Sequence, residues 1–246
     1  MKRLFAALAV LLLAPAFALA AVAQAGDAGT PHNPDLQTLK PSDIHLQRDR
    51  ATGQKLLRFS NTIANLGQGP LELRPVNNAA NGTTDAYQRV YTHDAGGDWS
   101  PYSETQVGTF AFHPAHNHWH FGSFATYELR NVAPDGGIGS TVYAISDKVS
   151  FCVIDITSVD PSLEHASGST YLGCSQNGVQ GLSVGWADVY TWSLAGQSLD
   201  VTNIANGTYW LVSTADPENL VAETNDGNNA GAVKVQLKGN TAKVVR

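Results

Sequence analysis

Short runs of alternating or β-branched residues recur along this chain of 246 residues. Turn-forming residues separate them, as at 65–70, 77–85 and 135–139. Such punctuation is typical of strands joined by turns, whereas 23 glycines and few charged residues disfavour helical bundles. We therefore predict an all-β fold, with an immunoglobulin-like β-sandwich core, long loops and little helix. The predicted strands are 44–47, 56–63, 90–92, 109–112, 116–129, 141–145, 149–156, 190–194, 207–214 and 232–237.

Four of the eight histidines lie within residues 113–120, and His116, His118 and His120 alternate. Alternate side chains of an extended strand share one face, so a twisted strand can aim three imidazoles at one point. Neutral imidazole is a strong ligand for copper and zinc. We predict a mononuclear transition-metal site on these three residues; the alternative is a histidine-rich turn on a solvated surface. His113 directly precedes a proline and is expected to orient the site without binding the metal.

The N-terminus has the pattern of a secretory signal. Lys2 and Arg3 precede an apolar run at 4–13, and small residues then offer cleavage after Ala20 or after Ala25. The apolar run is too short and too rich in alanine for a convincing membrane span. An uncleaved signal anchor is the alternative. We expect a secreted protein, extracellular or periplasmic, that has no membrane attachment after cleavage.

The length of the remaining chain fits one large domain or two small ones. We predict a signal peptide at 1–25, an N-terminal leader at 26–41 and a β domain at 42–246. Loss of Lys2 and Arg3 changes the formal net charge from −6 to −8, two positive charges fewer. An acidic protein is a poor partner for nucleic acid, and it attracts cationic molecules such as amines.

The chain has two cysteines, Cys152 and Cys174. In an exported protein an even number of cysteines suggests a disulfide, here one that closes a loop of about 23 residues. The two thiolates could instead be metal ligands. The disulfide is favoured because the histidines already suffice and the expected compartment is oxidising. Cys174 lies in a long loop, 160–181, and loops of this length are often functional.

Segments 207–217 and 223–229 resemble a hairpin of an immunoglobulin-like sandwich. Asparagine and aspartate tolerate left-handed backbone, so the second segment reads as a turn. Carboxylate and amide oxygens also suit calcium, which leaves a cation site open beside the simpler turn interpretation. The candidate oxygen ligands in this segment are Glu223, Asn225, Asn228 and Asn229.

Several segments, in the right order, resemble the lysyl oxidase family over roughly residues 34–237. The histidine segment 116–120, followed by 124–129, is similar to the family's copper-binding segment. Residues 56–60 are similar to a family strand. Residues 148–152 are similar to the family segment that carries the cofactor lysine, and residues 181–190 to the one that carries the cofactor tyrosine. The C-terminal acidic motif of the family is similar to Glu223 with Asn225, Asn228 and Asn229.

The resemblance implies a short, single-domain, bacterial-type copper amine oxidase. It assigns copper to His116, His118 and His120, and it implies that Lys148 and Tyr190 cross-link into lysine tyrosylquinone. Such an enzyme deaminates peptidyl lysine or another primary amine to an aldehyde, releasing ammonia and hydrogen peroxide, with oxygen as acceptor. The lysine must be neutral to attack, and partial burial lowers a lysine pKa.

The chain departs from animal members of the family in three places. Ala115 stands where those members carry a cysteine, and Thr126 stands where they carry a further histidine. Asn225 replaces an acidic residue, so a calcium site that also includes Asp35 and the Leu36 carbonyl would be weaker by one charge.

Other functions stay open at this point. The proton on the amine's α-carbon needs a general base, and His113 and Asp188 are candidates only by proximity in sequence. Zinc could occupy three imidazoles as well as copper. A non-catalytic, secreted metal-binding module of immunoglobulin-like type, acting through the C-terminal hairpin, is the main alternative; copper-dependent dismutation is another.

Overall fold

The computed structural model describes residues 29–80, 82–94, 97–146 and 149–246. Throughout these ranges the chain is built from antiparallel strands, and the helical content is one 3₁₀ turn, Asp226–Asn228. The all-β prediction is confirmed. The predicted signal peptide and Lys148 lie outside the described residues. Among the described residues no helix has the length and apolar character needed to cross a membrane.

Seventeen strands make two sheets in the described chain. In chain order they are β1 (Pro31–His32), β2 (Leu36–Thr38), β3 (Ser42–Arg48), β4 (Lys55–Asn65), β5 (Leu71–Asn78), β6 (Thr83–His93), β7 (Trp99–His113), β8 (His118–Val132), β9 (Ile138–Ile145), β10 (Val149–Phe151), β11 (Thr157–Ser158), β12 (Gln180–Leu182), β13 (Trp186–Tyr190), β14 (Ser198–Asp200), β15 (Gly207–Ala215), β16 (Ala230–Lys238) and β17 (Thr241–Val244).

The larger sheet has the order β12-β5-β6-β7-β8-β15-β16-β17, with β1 paired to β6 and both β9 and β10 paired to β8. The smaller sheet has the order β11-β13-β4-β14, with β2 and β3 paired to β4. Strands β8 and β4 each pair with four other strands and are therefore the central strands of the two sheets. The predicted C-terminal hairpin is present as β15 and β16, which pair from Gly207↔Leu237 to Thr214↔Ala230.

Apolar side chains from both sheets form one core. Phe59 of β4 and Tyr127 of β8 are fully buried, and their rings meet edge to face with centroids 4.8 Å apart. Full burial of a large apolar side chain is worth about 1.5–3 kcal/mol, so contacts of this kind hold the two sheets together. Strands β4 and β8 are thus held in place by the core, and they fix the positions of the residues at their ends.

Strand ends differ from the predictions where turns intervene. The strand predicted at 116–129 begins at His118, because 114–117 form a turn. The strand predicted at 149–156 ends at Phe151. The strand predicted at 190–194 was placed wrongly: β13 ends at Tyr190, and the Leu194 N–H donates to the Thr191 carbonyl in a turn.

Strands also form in several segments that the sequence analysis left without them, among them 71–78, 99–108, 180–182, 198–200 and 241–244. The predicted leader, 26–41, contributes β1 and β2 to the sheets. Strand β5 was missed because Pro75 and the asparagines after it are typical of a turn. The edge strand β12 pairs with β5 only at residues 71–73. Pro75 lies beyond this pairing, so that side of β5 needs no ladder hydrogen bond from it.

Candidate metal centre and the tyrosine beside it

The histidine segment is a β-hairpin turn between β7 and β8. Across the hairpin His113 pairs with His118. The N–H groups of His116 and Asn117 both donate to the His113 carbonyl, at 3.1 and 2.8 Å. Asn117 adopts left-handed backbone, with φ of 58°, which asparagine tolerates. His116 therefore lies in the turn, and the expectation of three alternating strand positions holds only for His118 and His120.

The three predicted ligands nevertheless converge. His120 Nε2 lies 3.2 Å from His116 Nδ1 and 2.9 Å from His118 Nε2. Three imidazoles around one tetrahedral ion, with bonds of the usual length, hold their nitrogens about 3.3 Å apart. The two separations measured at His120 Nε2 are close to that value. His116 approaches His120 from the turn, and His118 approaches it from the same strand.

His113 belongs to the same group. One nitrogen each from His113, His116 and His120 lie within 4.8 Å of one another, and no other trio of histidine, cysteine or acidic side chains in the described chain does so. The His113 ring stacks on His116 and His120, with centroids 4.3 and 4.5 Å apart. His113 Nδ1 and His116 Nε2 are buried without a hydrogen-bond partner among the described residues. We call His113, His116, His118 and His120 the hairpin histidine cluster.

Burial favours the neutral form of three imidazoles in this cluster. Burial and, to a smaller extent, the neighbouring imidazoles lower the pKa of His120 to about 3. Burial also lowers the pKa of His116 and His118. The Nδ1 of His120 lies 3.0 Å from the Ser150 hydroxyl, which orients the ring. His116, His118 and His120 are therefore neutral at neutral pH, and each can offer a lone pair to a metal ion.

Tyr190 lies beside the hairpin histidine cluster at the end of β13. Its ring centroid is 6.4 Å from that of His116 and 6.2 Å from that of His120. Its hydroxyl oxygen accepts a hydrogen bond from the Cys152 N–H at 2.6 Å, and its ring packs on Phe151 with centroids 3.7 Å apart. Burial raises the pKa of Tyr190, so the phenol is neutral.

A cavity of about 390 Å³ opens on one side of Tyr190. His113 and His116 line it, together with Ser146 and Val149, the described residues on either side of positions 147 and 148. Lys148 itself lies outside the described residues. Asp200 and Gln54 also line this cavity, and Gln54 Nε2 donates to the Asp200 carboxylate at 2.8 Å.

A second cavity, of about 350 Å³, contacts Tyr190, His116 and His118 and contains Asp188. Asp188 and Tyr190 are two apart on β13 and so point to the same face of the strand. Asp188 is 1% exposed, and burial raises its pKa well above the usual value. Its Oδ2 has no hydrogen-bond partner in the described chain. A buried carboxyl group is thus available near the tyrosine.

The two cysteines form the predicted disulfide, so neither is a free thiolate ligand. The bond ties the long loop to both parts of the site. The Trp119 N–H donates to the Cys174 carbonyl at 2.9 Å, while the Cys152 N–H donates to Tyr190. Gln180 Nε2 also donates to the Trp119 carbonyl, at 2.9 Å. The histidine strand and the tyrosine are therefore held through one cross-link.

The C-terminal oxygen cluster brings together side chains that the sequence analysis named. Glu223 accepts hydrogen bonds from the Leu36 N–H and from Asn229 Nδ2, both at 2.7 Å. Asn228 Nδ2 donates to the Asp35 carboxylate at 3.1 Å. Leu36 thus contacts the cluster through its N–H, and the role of its carbonyl as a calcium ligand stays a prediction.

Asn225 makes a local contact within the same segment. Its side-chain oxygen accepts from the Gly227 N–H at 3.0 Å and caps the 3₁₀ turn. The Oδ1 atoms of Asn228 and Asn229 are buried without a partner in the described part of the chain. Burial raises the pKa of Glu223 to about 7, against the hydrogen bonds from Asn229 and Leu36. Two acceptors without donors are a feature that a bound cation would satisfy.

Sequence reasoning missed several contacts of the centre. Ser150 was not singled out, because its partner His120 is 30 residues away and nothing local marks the pair. The Cys152 N–H and the Phe151 ring were missed for the same reason. His113 was expected only to orient the site, although its position within the octapeptide was a usable signal for membership.

Comparison with known proteins places the chain in a family. The family model described as lysyl oxidase matches residues 89–246, well over half of the chain. The chain belongs to the lysyl oxidase family. The matched region contains both the hairpin histidine cluster and Tyr190.

Curated relatives are lysyl oxidase homologues. Lysyl oxidase homolog 3A of Danio rerio is 28% identical over 178 residues, which cover 72% of this chain and 18% of the relative. Lysyl oxidase homolog 3 of Homo sapiens has the same identity, length and coverage. Lysyl oxidase homolog 2 of Gallus gallus is 27% identical over 187 residues, 76% of this chain and 19% of the relative. The chain spans about a fifth of the length of the curated relatives it matches.

Proposed function

We propose that this protein is a secreted copper amine oxidase of lysyl oxidase type. It would convert peptidyl lysine or another primary amine to an aldehyde, with release of ammonia and hydrogen peroxide and oxygen as acceptor. The observation that carries the proposal is the meeting of converging imidazoles with Tyr190, whose ring centroid is 6.2 Å from that of His120, in a member of this family.

His116, His118 and His120 are proposed to hold copper, and His113 to brace two of them by stacking. The proposal is supported by the short separations of His116 and His118 from His120 Nε2 and by a buried nitrogen of His116, Nε2, that has no partner in the described chain. Copper, together with a lysine tyrosylquinone derived from Lys148 and Tyr190, would supply the redox chemistry that takes electrons from the amine. Ser146 and Val149 support the cross-link, because they line the same cavity as Tyr190.

Asp188 is proposed as the general base that accepts the proton from the α-carbon of the amine. It shares a cavity and a strand face with Tyr190. A carboxyl whose pKa is raised by burial is a stronger base when ionised than an exposed one, and a base is most effective with a pKa near the working pH.

Asp200 is proposed to attract the substrate ammonium into the cavity beside Tyr190. Hydrogen bonds from the Thr202 hydroxyl and N–H lower the pKa of Asp200, so its carboxylate is charged at neutral pH. The formal net charge of −6 favours the same class of substrate. Cationic primary amines, free or as protein lysine, fit this charge.

The proposed layout keeps a signal peptide at 1–25, a leader at 26–41 and the catalytic domain at 42–246. The Cys152–Cys174 disulfide supports an oxidising compartment, outside the cell or in the periplasm. We also propose that Asp35, Glu223, Asn228 and Asn229 hold calcium, since two amide oxygens there have no donor in the described chain.

The quinone is tested on purified protein that has been loaded with copper in air. Phenylhydrazine should label the wild type, and peptide mapping should show the Lys148 peptide joined to the Tyr190 peptide. Tyr190→Phe is the matched control, because it removes one oxygen and keeps the ring on Phe151. It should bind copper and remain unlabelled. An unlabelled wild type with two separate peptides would refute the proposal.

The base is tested with Asp188→Asn. Loss of general base catalysis should lower turnover about 10²–10⁴-fold while phenylhydrazine labelling persists. Asp200→Asn is the companion variant, and it should raise KM for a diamine about tenfold with little change in kcat, because it acts on binding. Equal turnover of Asp188→Asn and wild type would remove Asp188 from the mechanism.

A further inference from the structure

Three other histidines gather around a tryptophan at the far end of β7. The ring centroids of His32, His93 and His165 lie 5.7, 4.6 and 5.3 Å from that of Trp99. The imidazoles also contact one another, with centroids 4.3 Å apart for His93 and His165, 5.2 Å for His32 and His165, and 6.0 Å for His32 and His93. We call His32, His93 and His165 the loop histidine cluster. It uses no residue of the proposed active site.

Sheet pairing brings two of these rings together. Strand β1 pairs with β6, which sets His32 opposite Tyr91, and the β6–β7 hairpin sets His93 opposite Trp99. His165 arrives from the long loop in left-handed backbone, with φ of 67°. A non-glycine residue in this region is uncommon and, when it persists, often marks a functional constraint. Here it accompanies the placement of a third imidazole.

The spacing suits a metal ion. Three imidazoles on one tetrahedral ion hold their centroids about 5 Å apart, given the usual bond lengths. In the hairpin histidine cluster the three proposed ligands are spaced 4.9, 5.0 and 5.6 Å. In the loop histidine cluster the three centroid distances range from 4.3 to 6.0 Å, with the same mean as in the hairpin histidine cluster. Its nitrogens do not yet share one point, and half-buried rings can rotate to do so because χ2 of histidine is broad.

Hydrogen bonding already prepares one ligand. His32 Nδ1 lies 3.0 Å from the Thr30 carbonyl, which can only accept, so this nitrogen carries the proton. Its Nε2 then presents a lone pair, the arrangement usual for a histidine that binds metal. The Glu164 carboxylate lies 3.9 Å from His165 Nε2, near enough to balance positive charge. A cavity of about 280 Å³ is lined by Trp99 and His165 and lies on one side of the cluster.

We propose that His32, His93 and His165 form a second metal site, which takes a divalent transition-metal ion and binds Cu²⁺ more tightly than Zn²⁺. The preference follows from the general affinity order for nitrogen ligands. A bound ion would cross-link β1, the β6–β7 hairpin and the long loop that carries Cys174. The site does not depend on the proposed amine oxidase activity.

Metal counting tests the site on the mature protein. At saturating Cu²⁺ the wild type should hold two ions per chain after removal of free metal. The double variant His93→Gln/His165→Asn should hold one, since asparagine tolerates the left-handed backbone of position 165. A variant with alanine at all four positions of the hairpin histidine cluster should also hold one. If the hairpin histidine cluster binds no copper, the wild type and that variant should each hold one ion, bound at the loop histidine cluster.

His45→Gln is the matched control. His45 bonds the carbonyl two residues before it, at 2.8 Å, and packs on Trp192 with centroids 4.7 Å apart. It therefore copies the surroundings of His32 without any neighbouring imidazole, and its loss should not change the metal count. Equal counts for His93→Gln/His165→Asn and wild type would overturn the proposal.

A second measurement does not depend on metal counting. In the variant that lacks the hairpin histidine cluster, Cu²⁺ should quench part of the tryptophan fluorescence, and that part should disappear when Trp99→Phe is added. Saturating Zn²⁺ should raise Tm by about 5 °C in the same background. Quenching that survives Trp99→Phe, together with an unchanged Tm, would contradict the site.

Discussion

The two histidine clusters reach similar ring spacings by different routes. The hairpin histidine cluster comes from eight consecutive residues, and its most central member, His120, is 1% exposed. The loop histidine cluster comes from residues 32, 93 and 165, which are far apart in the chain and half-buried. The first is recognisable in a sequence because neighbours on a hairpin stay neighbours. The second exists only because β1 pairs with β6 and one loop folds back.

The difference also concerns rigidity. Around the hairpin histidine cluster, Ser150 orients His120, and the disulfide loop holds Trp119. In the loop histidine cluster His32 bonds a main-chain carbonyl, and His165 depends on a loop. A metal site whose ligands are already oriented binds more tightly, since less conformational freedom is lost. We therefore expect the first site to bind Cu²⁺ more tightly than the second.

The largest expected effect comes from His120→Ala. This residue supplies the nitrogen that both His116 and His118 approach, so its loss should weaken Cu²⁺ binding at the hairpin histidine cluster about 1,000-fold. Binding at the loop histidine cluster should not change. Competition with a chelator of known affinity measures both sites, and a parallel loss at the two sites would show that they are not independent.

Removal of the disulfide should come next. Replacing Cys152 and Cys174 by serine frees a loop whose ends are 22 residues apart and should lower the free energy of unfolding by about 3 kcal/mol. Because Cys174 holds Trp119, Cu²⁺ affinity should fall more at the hairpin histidine cluster than at the loop histidine cluster. Urea unfolding and chelator competition measure the two effects. An equal fall at both sites would indicate general loosening.

Ser150→Ala tests orientation alone. Loss of the hydroxyl beside His120 should weaken Cu²⁺ binding there about 10–100-fold, the range usual for groups that orient a metal ligand. The counterpart Thr30→Ala should have no effect on the loop histidine cluster, because the acceptor from Thr30 is its main-chain carbonyl. A loss in Thr30→Ala similar to that in Ser150→Ala would break the distinction.

The smallest effect concerns Glu223, which contacts neither histidine cluster in the described structure. Its pKa of about 7 in the folded, metal-free protein exceeds the usual value of 4.5, so the proton stabilises the fold below pH 4.5. That contribution should be lost as pH rises to about 7, by about 1 kcal/mol once solvent screening is allowed for. Glu223→Gln should remove this dependence in Tm measurements, and Ca²⁺ should stabilise only the wild type at pH 7. If the dependence of Tm on pH is the same in Glu223→Gln as in the wild type, it arises from another titratable group.

The histidine octapeptide shows how far local pattern reaches. Its spacing predicted converging imidazoles, and they converge although His116 lies in a turn, because a hairpin keeps its own residues close in space. Strand ends were less predictable. The strand predicted at 190–194 was misplaced because apolar and β-branched residues do not by themselves signal the turn that follows Tyr190.

Residue types, order and alternation were enough for the all-β class and the family resemblance, because these depend on local backbone preference and on ordered motifs. The disulfide followed from the presence of two cysteines in a chain with a secretory signal pattern. Tertiary structure alone set Tyr190 against Phe151 and under the Cys152 N–H, and brought it beside the hairpin histidine cluster. It also gathered His32, His93 and His165 around Trp99. The physical reason is that antiparallel pairing and core burial choose which distant segments meet, and those choices depend on the whole chain at once.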